Sequence, residues 1–327
     1  MERERCLVRG RLVRGSIGCA LGFVLLRGAD LVAACLQPAW SPGAPVVWVA
    51  DRDGGRVVGL DEELYVARSF PLPFPVLVAA ASEGGAWVAC ARSRGEDAGA
   101  TLVKLSNDGE VLLRVLLVGI VDLVENALGE AVAAHAEGVV VIDGKGGLRT
   151  VALVSGVTSV AVAGERILVG CSDGWLLHDE DGLVASARTN GTVTDVAPAS
   201  SARWWSLVRS AGGARLALLS EELDELWHLE LNAAARELVP TRDATRTWVL
   251  AEEGPAWLVG PGGRIELEVP DLSIRTLGRG AIAPDGCLFS IAPGAVLELD
   301  PRHPGARAIR SQGGFDYLVD AAAAEHP

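Results

Sequence analysis

The sequence predicts an all-β fold, a ring of seven four-stranded blades closed by the C-terminal strand, and three observations carry that expectation. First, one short pattern recurs seven times: an apolar strand, a turn, a strand of the Trp-Val-Ala kind, a Gly-rich turn and a further strand. Its anchors are Trp48, Trp87, Val132, Leu168, Trp205, Trp248 and Leu288, spaced 39, 45, 36, 37, 43 and 40 residues apart. A period near 40 with several strands per repeat marks a β-propeller. Second, apolar residues make up 50% of the chain and mean hydropathy is +0.30. Blades that pack both sheet faces against neighbours need such apolar strands. Third, the first repeat lacks an inner strand and one strand is left over at the C-terminus.

The elements follow in order, with turns supplied by Gly, Asp and Asn. Blade one takes residues 46–50, 56–61 and 65–70; blade two takes 75–81, 86–91, 101–106 and 111–117. Blade three takes 120–125, 130–135, 139–143 and 148–153, and blade four 157–163, 166–171, 175–179 and 183–188. Blade five takes 192–198, 203–209, 215–219 and 225–231. Blade six, the least clear, takes 237–240, 246–251, 256–260 and 264–269, and blade seven 280–284, 287–292, 295–300 and 306–311. The orphan segment 315–321 matches the inner strand of blade two and is expected to pair with residues 46–50. That pairing joins the two chain ends and removes an open edge. The propeller then spans 46–321, with a tail at 322–327.

Residues 1–35 read as a leader. Met1 to Gly15 holds five Arg and two Glu, and an apolar run from Ser16 to Leu26 follows. Val32-Ala33-Ala34-Cys35 resembles a bacterial lipobox, in which Cys35 would be lipidated. Arg27 and Asp30 interrupt the apolar stretch, so an N-terminal extension from an early start codon is the competing reading. The first reading implies an exported protein, periplasmic or membrane-anchored, and the second a cytoplasmic one. Residues 36–45 would form a Pro-rich tether. In the body, the apolar run from Val115 to Val121 is only seven residues long, far short of a transmembrane helix.

The net charge is −13, which argues against a nucleic-acid partner, since that needs a basic face. Any membrane contact would run through the lipid anchor alone, and the body reads as a monomer. The six cysteines show no CxxC or Cys/His spacing of a zinc site. Cys90 and Cys171 fall on non-adjacent blades, too far apart for a disulfide, so free buried thiols are expected.

The unit Gly-x-x-Trp-Val-Ala … Val-x-x-Leu-Asp resembles the NHL and YVTN class of propeller repeats and the related streptogramin-lyase-like blades, over residues 46–321. This resemblance implies a fold rather than an activity. The Gly-His … Trp-Asp signature of WD repeats is absent, as is a Gly-x-Ser-x-Gly elbow.

In propellers of this class the upper face carries the loops joining second to third strands, and loops on a rigid scaffold carry function. Arg52, Arg92 and Arg94 lie in those loops of blades one and two, and His135 ends a second strand beside another. All four are candidate ligand contacts, the alternative being ordinary solvated turns. Asp122, Asp195 and Asp316 fall near the starts of inner strands. Three carboxylates at one channel mouth would suit a hard cation such as Ca²⁺; the alternative is a water-filled channel lined by solvated acids. Of the five histidines, only His135 could join Asp122 as a catalytic base. Two functions follow. One is a non-enzymatic exported propeller that binds a protein or small-molecule ligand on its upper face. The other is a metal-dependent hydrolase or lyase with its site at the channel mouth.

Overall fold

A computed structural model describes residues 45, 47–61, 64–251, 254–269, 280–283, 286–292, 295–301, 310–313 and 318–323. Among these residues the chain is all strand, turn and bend, with no helix. Cys35, Asp316 and the leader lie outside them. The first unit holds β1 (Val47–Asp51), β2 (Arg56–Leu60) and β3 (Val66–Pro71). The second and third share β4 (Pro75–Ala80), β5 (Ala86–Cys90), β6 (Gly99–Leu105), β7 (Val111–Glu125), β8 (Ala131–His135), β9 (Gly138–Ile142) and β10 (Leu148–Leu153). The fourth holds β11 (Val157–Ala163), β12 (Arg166–Cys171), β13 (Gly174–Asp179) and β14 (Gly182–Arg188). The fifth holds β15 (Thr192–Ala199), β16 (Arg203–Ser210), β17 (Gly213–Leu219) and β18 (Glu225–Leu231). The sixth holds β19 (Ala235–Pro240), β20 (Thr247–Ala251), β21 (Ala256–Val259) and β22 (Ile265–Val269). The last holds β23 (Gly280–Ile282), β24 (Leu288–Ala292), β25 (Ala295–Leu299) and β26 (Arg310–Gly313). β27 (Leu318–Ala323) then returns to the first unit, giving the order β27-β1-β2-β3.

All pairings are antiparallel. Among the described residues five sheets have four strands and one has seven. The seven-stranded sheet corrects one expectation: residues 111–117 and 120–125 are not separate strands, because β7 runs unbroken through both. It serves as the outer strand of the second unit and the inner strand of the third. Gly119 makes the change of direction possible, with φ of 81°, and a Cβ there would sit 3.1 Å from the Cβ of Ala136. β26 and β27 are described over Arg310–Gly313 and Leu318–Ala323; residues 306–309 and 315–317, where those strands were expected to begin, lie outside the described residues. β27 pairs Ala323 with Val47 and Ala321 with Val49.

The core is divided among the junctions between successive units, because strands expose alternate residues to opposite faces. Trp48 and Ala50 pack with Ala86, Val88 and Val103 of the second unit. Trp87 and Ala89 pack with Leu123, Ala131 and Ala133 of the third, and Trp248 and Leu250 pack with Leu288 and Leu299 of the last. Val47 and Val49 face the other way, onto Phe289, Ile291 and Val296. A Trp anchor thus buries its large apolar ring against the next unit, which is why the repeat holds Trp there. Among the described residues no sheet closes on itself. The inner strands touch in the order β27, β4, β7, β11, β15, β19, β23 and back to β27. Six of them, all but β23, contribute to a cavity of about 660 Å³ lined by Val78, Val124, Val160, Val196, Leu238 and Ala321, among others.

Candidate functional site: the upper mouth of the channel

The inner strands bulge at one shared place. In six of them one residue is skipped in the pairing with the second strand: Val76, Val121, Thr158, Thr194, Arg236 and Val319. A bulge leaves its extra residue unpaired and re-aims the side chains around it. The residues that follow are Leu77, Asp122, Ser159, Asp195, Glu237 and Asp320. The four-residue strings are in frame: Ile120-Val121-Asp122-Leu123, Val157-Thr158-Ser159-Val160, Val193-Thr194-Asp195-Val196, Ala235-Arg236-Glu237-Leu238 and Leu318-Val319-Asp320-Ala321. By register, Asp320 occupies the equivalent place in β27.

Asp122 and Asp195 share a partner. The Ser159 hydroxyl lies 2.9 Å from Asp122 Oδ2 and 2.8 Å from Asp195 Oδ1, and can donate to only one at a time. Each carboxylate also holds the next inner strand. Asp122 Oδ2 accepts from the Val160 amide at 2.8 Å, and Asp195 Oδ2 from the Leu238 amide at 2.6 Å. Glu237 repeats the device, accepting from the Gly280 amide at 3.3 Å. Charge-assisted bonds of this kind are among the stronger ones. The acids therefore staple neighbouring units at the level of the bulge.

Above this level lies a second cavity, of about 350 Å³, lined by Val121, Thr158, Thr192, Thr194, Arg209 and Arg236, with Asp122, Ser159 and Asp195 at its base. Asp122 and Asp195 also line the larger cavity below. The bulged threonines have committed their protons: Thr158 Oγ1 donates to the Gly170 carbonyl at 3.1 Å and Thr194 Oγ1 to the Leu207 carbonyl at 3.3 Å. Arg209, at the end of β16, is exposed. None of Ser159, Thr158, Thr194, Arg209, Arg236 and Glu237 was singled out from sequence. The in-frame strings are the signal that would have found most of them.

The loop arginines are engaged with each other's blades. Arg52 Nη1 donates to Asp97 Oδ1 at 2.9 Å, and Arg94 donates through Nε and Nη2 to Asp53 at 3.1 and 2.6 Å. The two pairs cross between the loops of the first and second units in opposite senses. Arg92 is exposed, and its amide donates to Glu96 Oε2. His135 is buried, and its Nδ1 accepts from the Glu137 amide at 3.4 Å. Ala131 and Ala133 face the second unit, and alternation turns His135 the same way, whereas Asp122 lines the channel. Asp122 and Asp195 come together with Ser159; His135 and the loop arginines do not join them. Among the described residues no group of three His, Cys, Asp or Glu side chains converges as a metal site.

Cys90, Cys171 and Cys287 are buried and form no disulfide with one another. Burial pushes the Cys90 thiol up to about 11, against a smaller opposing pull from Arg114, and raises Cys171 as well. Neither thiol is set up as a nucleophile.

No family model matches the chain, and no curated protein matches it. Solved structures do. Apo AztD from Citrobacter koseri superposes with a TM-score of 0.65 at 13% identity, over 85% of this chain and 96% of that one. A streptogramin B lyase gives 0.63 at 11% identity, over 78% and 92%. The hydrazine synthase of Kuenenia stuttgartiensis gives 0.62 at 10%, over 77% and 93%. Identities this low speak for the fold alone. The chain folds as a β-propeller.

Proposed function

We propose that the protein is a non-catalytic binding propeller, a closed ring of seven blades that takes a small ligand in the upper mouth of its channel. The observation that carries this reading is the cavity of about 350 Å³ lined by threonine and arginine side chains. It lies near the lower end of the range for small-molecule pockets. The acids at its base are held by backbone amides, which favours a structural role for them over catalysis. The blade-one and blade-two loops are bound to each other, so the mouth is favoured over the loops as the contact surface. The leader, with Cys35 as its lipidation point, fits an exported protein.

The test is native mass spectrometry of gently purified protein. A small-molecule adduct is expected on the wild type and is expected to be lost in Thr194→Trp, which fills the cavity from its wall. An adduct that survives this change would place the ligand elsewhere. The competing metal-dependent hydrolase or lyase rests on the pairing of Asp122 with Asp195 around Ser159 and on the streptogramin B lyase among the similar structures. Calcium should leave the melting temperature of the wild type unchanged; a rise on titration would favour that alternative. Export is tested by lipid labelling, which should disappear in Cys35→Ser; unlabelled cytosolic protein with an intact Met1 would refute it.

A further inference from the structure

The connection between β14 and β15 is the one place in the chain where an asparagine precedes a glycine, a pair that marks a turn. The Thr189 amide still donates to the Asp173 carbonyl at 3.0 Å, and strand pairing resumes with Thr192 opposite Arg209. Asn190 and Gly191 form the bend between them, and Asn190 is exposed. Neither the Asn190 carboxamide nor the Gly191 amide makes a hydrogen bond among the described residues. The glycine answers a packing demand. A Cβ at 191 would sit 2.6 Å from the Arg209 carbonyl oxygen and 2.7 Å from Val208 Cγ1, so only a residue without one lets the backbones approach this closely. The same missing side chain leaves the Gly191 nitrogen unshielded beside the carboxamide carbon of Asn190.

The surroundings are cationic. Arg188 and Arg209 are exposed on either side of the bend, and Arg215 Nη2 donates to Thr189 Oγ1 at 2.9 Å. Positive charge nearby favours the anion that forms when an amide nitrogen gives up its proton. The three other asparagines lack this combination. The Asn126 carboxamide is engaged at both ends, donating to Glu130 Oε2 and accepting from the Leu128 and Glu130 amides. Asn232 is exposed but is followed by Ala233, and Asn107 is half-buried and followed by Asp108.

We propose that Asn190 is a site of spontaneous deamidation in the folded protein. The deprotonated Gly191 nitrogen attacks Asn190 Cγ. A new N–C bond forms, the Cγ–Nδ2 bond breaks, and the side-chain nitrogen leaves as ammonia, giving a cyclic succinimide. Water opens the ring at either carbonyl and returns a proton to the nitrogen, leaving aspartate or isoaspartate at this position. One water is consumed, one ammonia is released, and nothing is oxidised or reduced. The product places a new negative charge two residues before Thr192, which lines the upper cavity. The isoaspartate form also lengthens the backbone by one carbon at the entry to β15. The chemistry is independent of whether the mouth holds a ligand.

The experiment incubates the full folded chain in neutral and mildly alkaline buffer made with heavy-oxygen water. Peptides are mapped by mass spectrometry, and isoaspartate is read with an isoaspartyl methyltransferase. The mass gain of an amide-to-acid change should appear at Asn190 before it appears at Asn107, Asn126 or Asn232. It should carry heavy oxygen, rise with pH and be accompanied by isoaspartate. Asn190→Gln, a change at an exposed side chain without a partner, should lose the isoaspartate signal. An Asn190 that stays intact while another asparagine converts overturns the proposal. So does conversion confined to the urea-unfolded chain, which would show that the native bend blocks the attack, and so does an isoaspartate signal that persists undiminished in Asn190→Gln.

Discussion

The upper ends of the first two units and the upper ends of the third to sixth are held together by different chemistry. The first pair is joined across exposed loops by Arg52–Asp97 and Arg94–Asp53. The others are joined inside the channel, where Asp122 and Asp195 accept the amides of the neighbouring strand and share Ser159. Both arrangements use carboxylates, yet they differ in what surrounds them. The Arg94 side chain is 72% exposed and Asp97 95% exposed, so water and salt compete for these pairs. Val160, Val196 and Leu238, whose amides the channel acids take, are buried, and an orphaned amide there would find no ready substitute. The loops spend their charge on each other, and the channel spends its carboxylates on backbone. Arg209 and the threonine oxygens then remain at the mouth, facing a cavity.

The largest effect that sharpens this contrast is expected from Asp195→Ala. It strips the acceptor from the Leu238 and Val196 amides and should cost about 2–3 kcal/mol in urea unfolding. A cost under about 0.5 kcal/mol would show that the staple is not used.

A buried polar group without any such staple offers the opposite case. His178 is only 7% exposed, and neither ring nitrogen has a hydrogen-bond partner. Burial lowers its pKa, with Asp179 opposing. The folded protein then binds fewer protons at His178 than the unfolded chain does. Its contribution to stability is intact above about pH 6.5 and is lost as pH falls toward the lowered value. His178→Leu should remove that part of the acid slope and leave stability at pH 8 unchanged or raised by about 1 kcal/mol. An unchanged slope between wild type and variant would show that the imidazole is solvated.

The smallest effect belongs to the loops. A double-mutant cycle on Asp53 and Arg94 should give a coupling of about 0.2–1 kcal/mol that fades with added salt. A larger, salt-resistant coupling would erase the distinction between the two regions.

The repeat was legible because its period is long and its anchors are large. Trp48, Trp87 and Trp248 mark second strands in the structure as they do in the sequence, and most strand ends fall within two residues of expectation. The acids at 122 and 195 were legible as inner-strand residues. What they do was not, because the bulge inserts Val121 and Thr194 and breaks the two-residue alternation from which side-chain direction is read. The fusion of 111–117 with 120–125 was hidden because Gly119 reads as a turn, while its positive φ lets pairing continue on both sides. The partners of Arg52 and Arg94 lie more than forty positions away in the chain, and no local pattern names them. Arg209 and Arg236 reach one cavity from different units, a meeting that only the packing of those units creates.

The most direct test of the account compares two paired variants by native mass spectrometry of protein purified from its own cells. Arg209→Gln with Arg236→Gln changes the mouth, and Arg52→Gln with Arg94→Gln changes the loops. The account expects the ligand adduct to vanish from the first and to persist in the second at the wild-type level. An adduct that persists in the mouth variant and vanishes from the loop variant would contradict it.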